Sequence, residues 1–161
     1  MNDPSITPGR TLEPIRPLAV GDVARIIAID HAITGRRRDG FYQRRVAAMQ
    51  KHRDELIGLG HADGGRLSGF ALASILDGEF DGRFPVAMLD AIGVAPDARG
   101  RGIGRALLAA LDAELRARRV RELRTEAPWH SASLLRLFAG AGFVLAPRAI
   151  LERPTQEKEY I

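Results

Sequence analysis

The residues best suited to do chemistry lie in one stretch, Val94-Ala95-Pro96-Asp97-Ala98-Arg99-Gly100-Arg101-Gly102-Ile103-Gly104-Arg105. Three glycines fall within five residues and three arginines surround them. Glycine lets the backbone approach a ligand with no Cβ in the way. A helix that begins in such a loop presents unpaired N–H groups and the positive end of its dipole. Together these cradle an anion, a phosphate above all, and Arg99, Arg101 and Arg105 add charge around it. A Walker-type loop needs Gly-Lys followed by Ser or Thr, which is absent. A dinucleotide fold carries Gly-x-Gly-x-x-Gly after an early strand of a parallel sheet, whereas this loop comes late in the chain.

The elements around the loop must position it. Residues 1–13 read as a flexible lead, 14–155 as one domain and 156–161 as a tail. Pro14 and Pro17 argue for a short extended piece around Ile15. A helix opens at Val20-Gly21-Asp22 with Asp22 as N-cap, buries Val23, Ile26 and Ile27, and stops at Thr34-Gly35. A second runs from Asp39 to about Arg53 on a stripe of Tyr42, Val46 and Met49. Leu56–Ala62 and Leu67–Leu76 read as a hairpin about Asp63-Gly64-Gly65-Arg66. After turn signals at Asp77-Gly78 and Asp81-Gly82, Phe84–Val94 reads as a central strand, the longest of the set. The glycine loop leads into a helix over Gly102–Arg119 that buries Leu107, Leu108, Leu111 and Leu115. A strand over Val120–Ala127 and a helix over Ser131–Ala141, with Leu134, Leu135 and Phe138 inward, come next. One or two final strands are expected in Phe143–Leu151, interrupted at Pro147. The fold class is α/β (α+β), a mixed, mostly antiparallel sheet flanked by helices.

Composition narrows the function. The 161 residues are 45% hydrophobic and 27% charged, the proportions of a globular chain with a core. There is no cysteine, which excludes disulfides, thiolate metal sites and a cysteinyl intermediate; no metal is expected. No apolar run reaches the roughly 18 residues of a membrane span, and the N-terminus lacks a signal-peptide pattern, so a cytoplasmic protein that binds no membrane is expected. Of 24 basic residues only Lys51 and Lys158 are lysine. Arginine's high pKa lifts the isoelectric point to about 10.3, while the net charge is only +4. That charge suits an anionic ligand of either kind, nucleic acid or a phosphate-bearing cofactor. No recognition helix, zinc ligands or aromatic sheet motif supports the first.

The stretch 94–108, VAPDARGRGIGRALL, resembles motif A of the GNAT superfamily of acetyl-CoA-dependent N-acetyltransferases. The signature Arg/Gln-x-x-Gly-x-Gly/Ala is met by Arg99, Gly102 and Gly104, and the element order from Ile15 to Leu151 is similar as well. The resemblance implies that the loop amides of Arg99, Gly100, Arg101, Gly102, Ile103, Gly104 and Arg105 hold the coenzyme A pyrophosphate. It implies further that Ile92, Gly93 and Val94, at a bulged strand end, line the pantetheine arm, with the Val94 amide toward the thioester carbonyl. The family's Asn and Tyr on the following helix correspond to Ser131 and Phe138, which are placed with the cofactor-binding set; Gly142-Phe143 match its closing Gly-Phe.

Acetyl transfer requires a neutral amine, a stabilised oxyanion and a protonated leaving thiolate. Asp90 is the leading base candidate. It is the one charged residue from Phe84 to Val94, and an unpaired carboxylate in such a strand is costly, so it should meet a cleft, water or a partner such as Arg124. Glu126 is the second candidate. With Phe138 in place of tyrosine the usual phenolic donor is missing; Tyr42 and His130 are alternatives, though Tyr42 lies on an apolar stripe and His130 reads as a solvated loop residue. Ser131 reads as an N-cap, Arg36-Arg37-Arg38 as a solvated loop or an attractor for an acidic substrate, and Trp129 as a wall of the acceptor pocket or a cap on the core. The expected function is transfer of acetyl from acetyl-CoA to a primary amine on a small molecule or protein, directly in a ternary complex. A CoA-binding regulatory module without catalysis is the alternative, and a homodimer through a sheet edge near Phe143–Leu151 would be in keeping.

Overall fold

Two glycines set the first hairpin. Gly64 and Gly65 both have positive φ, 58° and 80°, the backbone that a two-residue turn needs if its strands are to keep their natural twist. In the computed structural model, which describes residues 15–77 and 84–155, this turn joins β2 (Leu56–Asp63) to β3 (Arg66–Leu76). A two-residue β1 (Arg16–Pro17) pairs with the outer edge of β2, and β4 (Val86–Val94) runs antiparallel to β3. The remaining elements are α1 (Val23–Thr34), α2 (Asp39–Lys51), α3 (Ile103–Ala117), β5 (Glu122–Thr125) and α4 (Ala132–Gly140). The five strands lie in chain order, and only β4 and β5 are parallel, because α3 crosses over between them.

Neighbouring residues of β3 show which helices take which face. Gly69 turns the place of its missing side chain toward Ile103 and Leu107 of α3, while Phe70 packs edge-to-face on Tyr42 of α2 at 5.7 Å. Since successive strand residues point to opposite faces, α3 covers one side of the sheet and α2 the other. The α1 residue Ile33 lies 3.2 Å from where a Cβ on Gly93 would stand, the face that Phe70 also occupies, so α1 shares the face with α2. Ile26, Tyr42, Val46, Phe70, Leu72, Leu107 and Leu111 are almost fully buried, and they join both helix layers to the sheet in one core. Outside it, Arg16 clamps Asp22 with two hydrogen bonds of 2.8 Å. Asp22 does not cap α1; its carboxylate accepts the Ala19 amide at 2.8 Å, and Arg16 holds that carboxyl below the usual range.

The structure corrects several expectations. Central strand β4 starts at Val86, so β3 is the longest strand. The second helix stops at Lys51, two residues before Arg53. The strand expected over Val120–Ala127 shrinks to four residues. Residues 143–151 form no strand: Pro147 lacks an N–H, and the Arg148 amide turns back to the Ala146 carbonyl at 2.8 Å, kinking the chain. In α4 the inward stripe is Leu134, Leu137 and Phe138, and Leu135 points outward. Of the turn signals after β3, Gly78, Asp81 and Gly82 lie outside the described residues. Among the described residues no helix is long and apolar enough to cross a membrane.

Candidate active site

The site begins where β4 and β5 part. Their pairing runs from Val86–Glu122 to Leu89–Thr125 and then stops, with the Thr125 hydroxyl donating to the Leu89 carbonyl at 3.1 Å. The next residue of β4 is Asp90. On the β3 side Leu72 faces Ala91 and Ala73 faces Leu89, so Asp90 is the extra residue of a β-bulge. A bulge bends its strand and re-aims the side chain it carries. Beyond it Ile92, Gly93 and Val94 stay paired to Ala71, Phe70 and Gly69 on one edge only; no described strand takes the other. Alternate N–H and C=O groups of that edge therefore have no strand partner among the described residues. Gly93 is required there by packing, since a Cβ would lie 2.8 Å from the Phe70 ring.

At the end of this bare edge the chain enters the glycine loop. The Ala95 amide ties back to the Ser68 carbonyl at 2.8 Å, and Pro96–Ala98 make one 3-10 turn. Gly100 and Gly102 then adopt left-handed φ of 75° and 78°, which a side chain would disfavour by about 1–2 kcal/mol each. Helix α3 starts at Ile103, and its first closing bond runs from the Ala106 amide to the Gly102 carbonyl at 3.0 Å. The amides of Ile103, Gly104 and Arg105 thus precede any helical partner. Gly104 faces α4, where a Cβ would lie 3.2 Å from Leu137. The three loop arginines are not equivalent. Arg101 is bound to Asp63 at 2.7 Å, whereas Arg99 and Arg105 are exposed, the Arg105 guanidinium lying over Gly140 of α4.

Asp90 is half-buried on the α2 side. Arg45 donates to one carboxylate oxygen at 2.6 Å and Ser74 to the other at 3.2 Å. Arg45 also stands 5.8 Å from the Phe41 ring centre. The expected partner Arg124 is instead engaged by Glu122, its neighbour two residues away on β5. Burial raises the Asp90 carboxyl above the ordinary range, and the Arg45 charge and both hydrogen bonds only partly oppose it. Glu126 is exposed and lies one residue past the last β4–β5 pair, at the same end of the cleft.

The remaining candidates separate cleanly. Tyr42 is fully buried, and its hydroxyl accepts Arg38 at 2.8 Å. Burial pushes its acidity far from the physiological range, so it belongs to the core. Arg38 also forks onto buried Asp30 and Arg37 pairs with Asp39, which makes two of the three arginines structural. Phe138 is buried against Phe143 at 5.0 Å. Ser131 precedes α4 without a side-chain cap bond, against the expected role, and His130 is exposed. Trp129 is 91% exposed and caps no core. Sequence reasoning missed a buried pair on the first hairpin, His61 Nδ1 at 2.7 Å from the Ser68 hydroxyl, which itself donates to the His61 carbonyl. Their residue types alone, seven positions apart across a hairpin, were the available signal. Among the described residues no group of three His, Asp or Glu gathers as a metal site requires.

The fold is found in acetyltransferases of known structure. The aminoglycoside acetyltransferase AAC(6')-Iy, solved with the bisubstrate analogue CoA-S-monomethyl-acetylneamine, superposes with a TM-score of 0.75 at 22% identity, over 89% of this chain and 98% of that one. A ribosomal-protein-alanine N-acetyltransferase from Brucella melitensis biovar Abortus 2308 gives 0.70 at 22% identity, over 87% and 97%. An aminoglycoside acetyltransferase from an uncultured soil metagenomic sample, in complex with sisomicin, gives 0.71 at 14% identity, over 89% and 96%. None of the curated protein sequences compared matches the chain. The sequence profile of the acetyltransferase (GNAT) family matches residues 26–143, from the first helix through the parted strands and the glycine loop to the end of α4, and the chain belongs to that family.

Proposed function

We propose that the protein is an N-acetyltransferase that moves the acetyl group of acetyl-CoA onto a primary amine directly, with no acyl-enzyme. The observation that carries this reading is the bare edge of β4, which runs from a re-aimed carboxylate to the loop before a helix N-terminus. The residues fit coenzyme A. An extended pantetheine arm is matched by the free edge of Ile92–Val94, which offers strand-like hydrogen bonds. A pyrophosphate is matched by the left-handed Gly100 and Gly102, the amides of Ile103, Gly104 and Arg105, and the exposed Arg99 and Arg105. When bound, acetyl-CoA supplies an activated thioester.

The chain's own groups do the rest. Asp90 takes the proton from the acceptor ammonium, directly or through one water. Its raised pKa makes it a stronger base than an ordinary aspartate, while Arg45 and Ser74 fix its orientation and favour its anion. Glu126 at the cleft mouth attracts the cationic amine. A chain without cysteine has no thiol to carry an acetyl group, which favours direct transfer.

The test is free-thiol release from acetyl-CoA with a panel of small amines, polyamines and peptides. Turnover is expected with at least one class, and Asp90→Asn should lower it by about 10²–10⁴-fold. Binding at about 100 times the dissociation constant should stabilise the wild type and Asp90→Asn alike by roughly 2.7 kcal/mol. Saturable binding with no turnover across the panel would favour a CoA-binding module instead. An unchanged melting temperature at saturating acetyl-CoA would sink both readings.

A further inference from the structure

Two arginines on the α2 side of the sheet have donors to spare. A guanidinium carries several N–H groups, and Arg45 spends one of them, on Nη2, to hold Asp90 at 2.6 Å. Its Nε and Nη1 have no partner among the described residues, and the side chain is 21% exposed. The contacts with Asp90 and with the Phe41 ring keep it in place. Arg36 is exposed, and its side chain has no ion pair or hydrogen bond among the described residues. The nearby acids are already engaged, Asp30 by Arg38 and Asp39 by Arg37.

Arg36 follows a helix end that rests on the same strand as Asp90. Ile33, three residues before it, lies 3.2 Å from where a Cβ on Gly93 would stand. The connection is fixed, with Gly35 at φ of 69° and the Arg36 amide donating to the Thr34 hydroxyl at 3.2 Å. Gly93 is three positions from Asp90 along β4, about 10 Å at the rise of a strand. Arg45 thus stands at one end of the stretch Asp90–Gly93, and Arg36 follows the helix end that meets the other.

We propose that the acceptor amine carries a carboxylate or phosphate group of its own, which Arg45 and Arg36 hold while the amine meets Asp90; this rests on acetyl transfer being the function. Arg45 can serve both partners, orienting Asp90 through Nη2 and binding the acceptor's anion through the donors that Asp90 leaves free. Charge is then matched at both ends of the acceptor, its ammonium toward Asp90 and its anion toward the arginines. A polycation meets the same carboxylate but is repelled by the two guanidinium groups.

The experiment compares acceptors that differ only in the anion, by thiol release from acetyl-CoA at a pH where the rate has levelled off. γ-Aminobutyrate is set against its amide, and a C-terminally amidated peptide beginning Ala-Glu against one beginning Ala-Gln. The acid should exceed its amide in kcat/KM by about 10-fold or more. A preference in the first pair marks a small acceptor and one in the second a protein N-terminus, while spermidine should fall below the better acid. Arg36→Ala and Arg45→Gln should each shrink the acid-to-amide ratio. An arginine acting only through Asp90 or through the fold would slow acid and amide alike and leave the ratio unmoved. Amides turned over as well as acids, spermidine preferred to both acids, or a ratio that neither substitution changes overturns the anionic acceptor and leaves acetyl transfer standing. If no amine is turned over, acetyl transfer falls, and calorimetry on the protein loaded with coenzyme A decides the rest. There the acid should still bind about 10-fold more tightly than its amide, and equal binding overturns the inference.

Discussion

Opposing forces meet at Asp90. Burial raises its carboxyl, and the Arg45 charge, the Ser74 hydroxyl and the Arg45 hydrogen bond pull it back. If Asp90 is the base, kcat/KM falls as pH drops through its pKa, on a limb above the ordinary aspartate range. Arg45→Gln removes the neighbouring positive charge that favours the anion, so that limb should move to higher pH, which a pH–rate profile reads directly. An arginine that merely propped up the fold would change the melting temperature and leave the limb in place. Gly102 carries the second residue-scale prediction. With φ at 78°, Gly102→Ala should cost about 1–2 kcal/mol in chemical denaturation and, under the proposed function, weaken acetyl-CoA binding in calorimetry, since the loop it shapes would be the phosphate cradle. The sequence showed Asp90 as a lone charge in an apolar strand and showed the glycines by their spacing. It did not show Arg45 as the partner, because that contact spans 45 positions and Arg45 reads as a solvated residue off its helix stripe. The bulge that turns Asp90 was equally hidden, since one extra strand residue leaves no mark in composition.

The junction between α1 and α2 depends on one fork. Arg38 holds Asp30, itself nearly fully buried, and Tyr42 from the start of α2. Removing the guanidinium leaves a buried carboxylate without its cation, so Arg38→Ala should lower stability by about 3 kcal/mol in urea unfolding. Arg38→Lys should recover only part of that, because an ammonium cannot make the forked contact. Elements with a strong period were readable in advance. α3 carries leucines at helical spacing, and both halves of the Gly64-Gly65 hairpin followed from turn chemistry. The segment 143–151 was not, because its residues favour a strand while the pairing partner a strand needs is supplied by no other described part of the chain. A strand is a relation between two segments, and one segment's pattern states only half of it.

Across the whole molecule, the sheet is unevenly fastened. β2, β3 and β4 are joined by long antiparallel ladders, whereas β5, and α4 behind it, hang on four register pairs and the packing of α3 and α4. The early break between β4 and β5 leaves the edge that the proposed ligand would use. With so few pairs holding it, the part from β5 through α4 is expected to open at a lower free energy than the rest of the sheet. Amide hydrogen exchange should register this, with protons of β5 and α4 lost well before those of β3. Acetyl-CoA seated between the strands would bridge the two units, so its addition should slow exchange in β5 and α4 and leave β2 and β3 nearly unchanged. The gap between β4 and β5 would then be a joint as well as the proposed binding site, one in which the ligand supplies the stitching that the missing strand pairs omit.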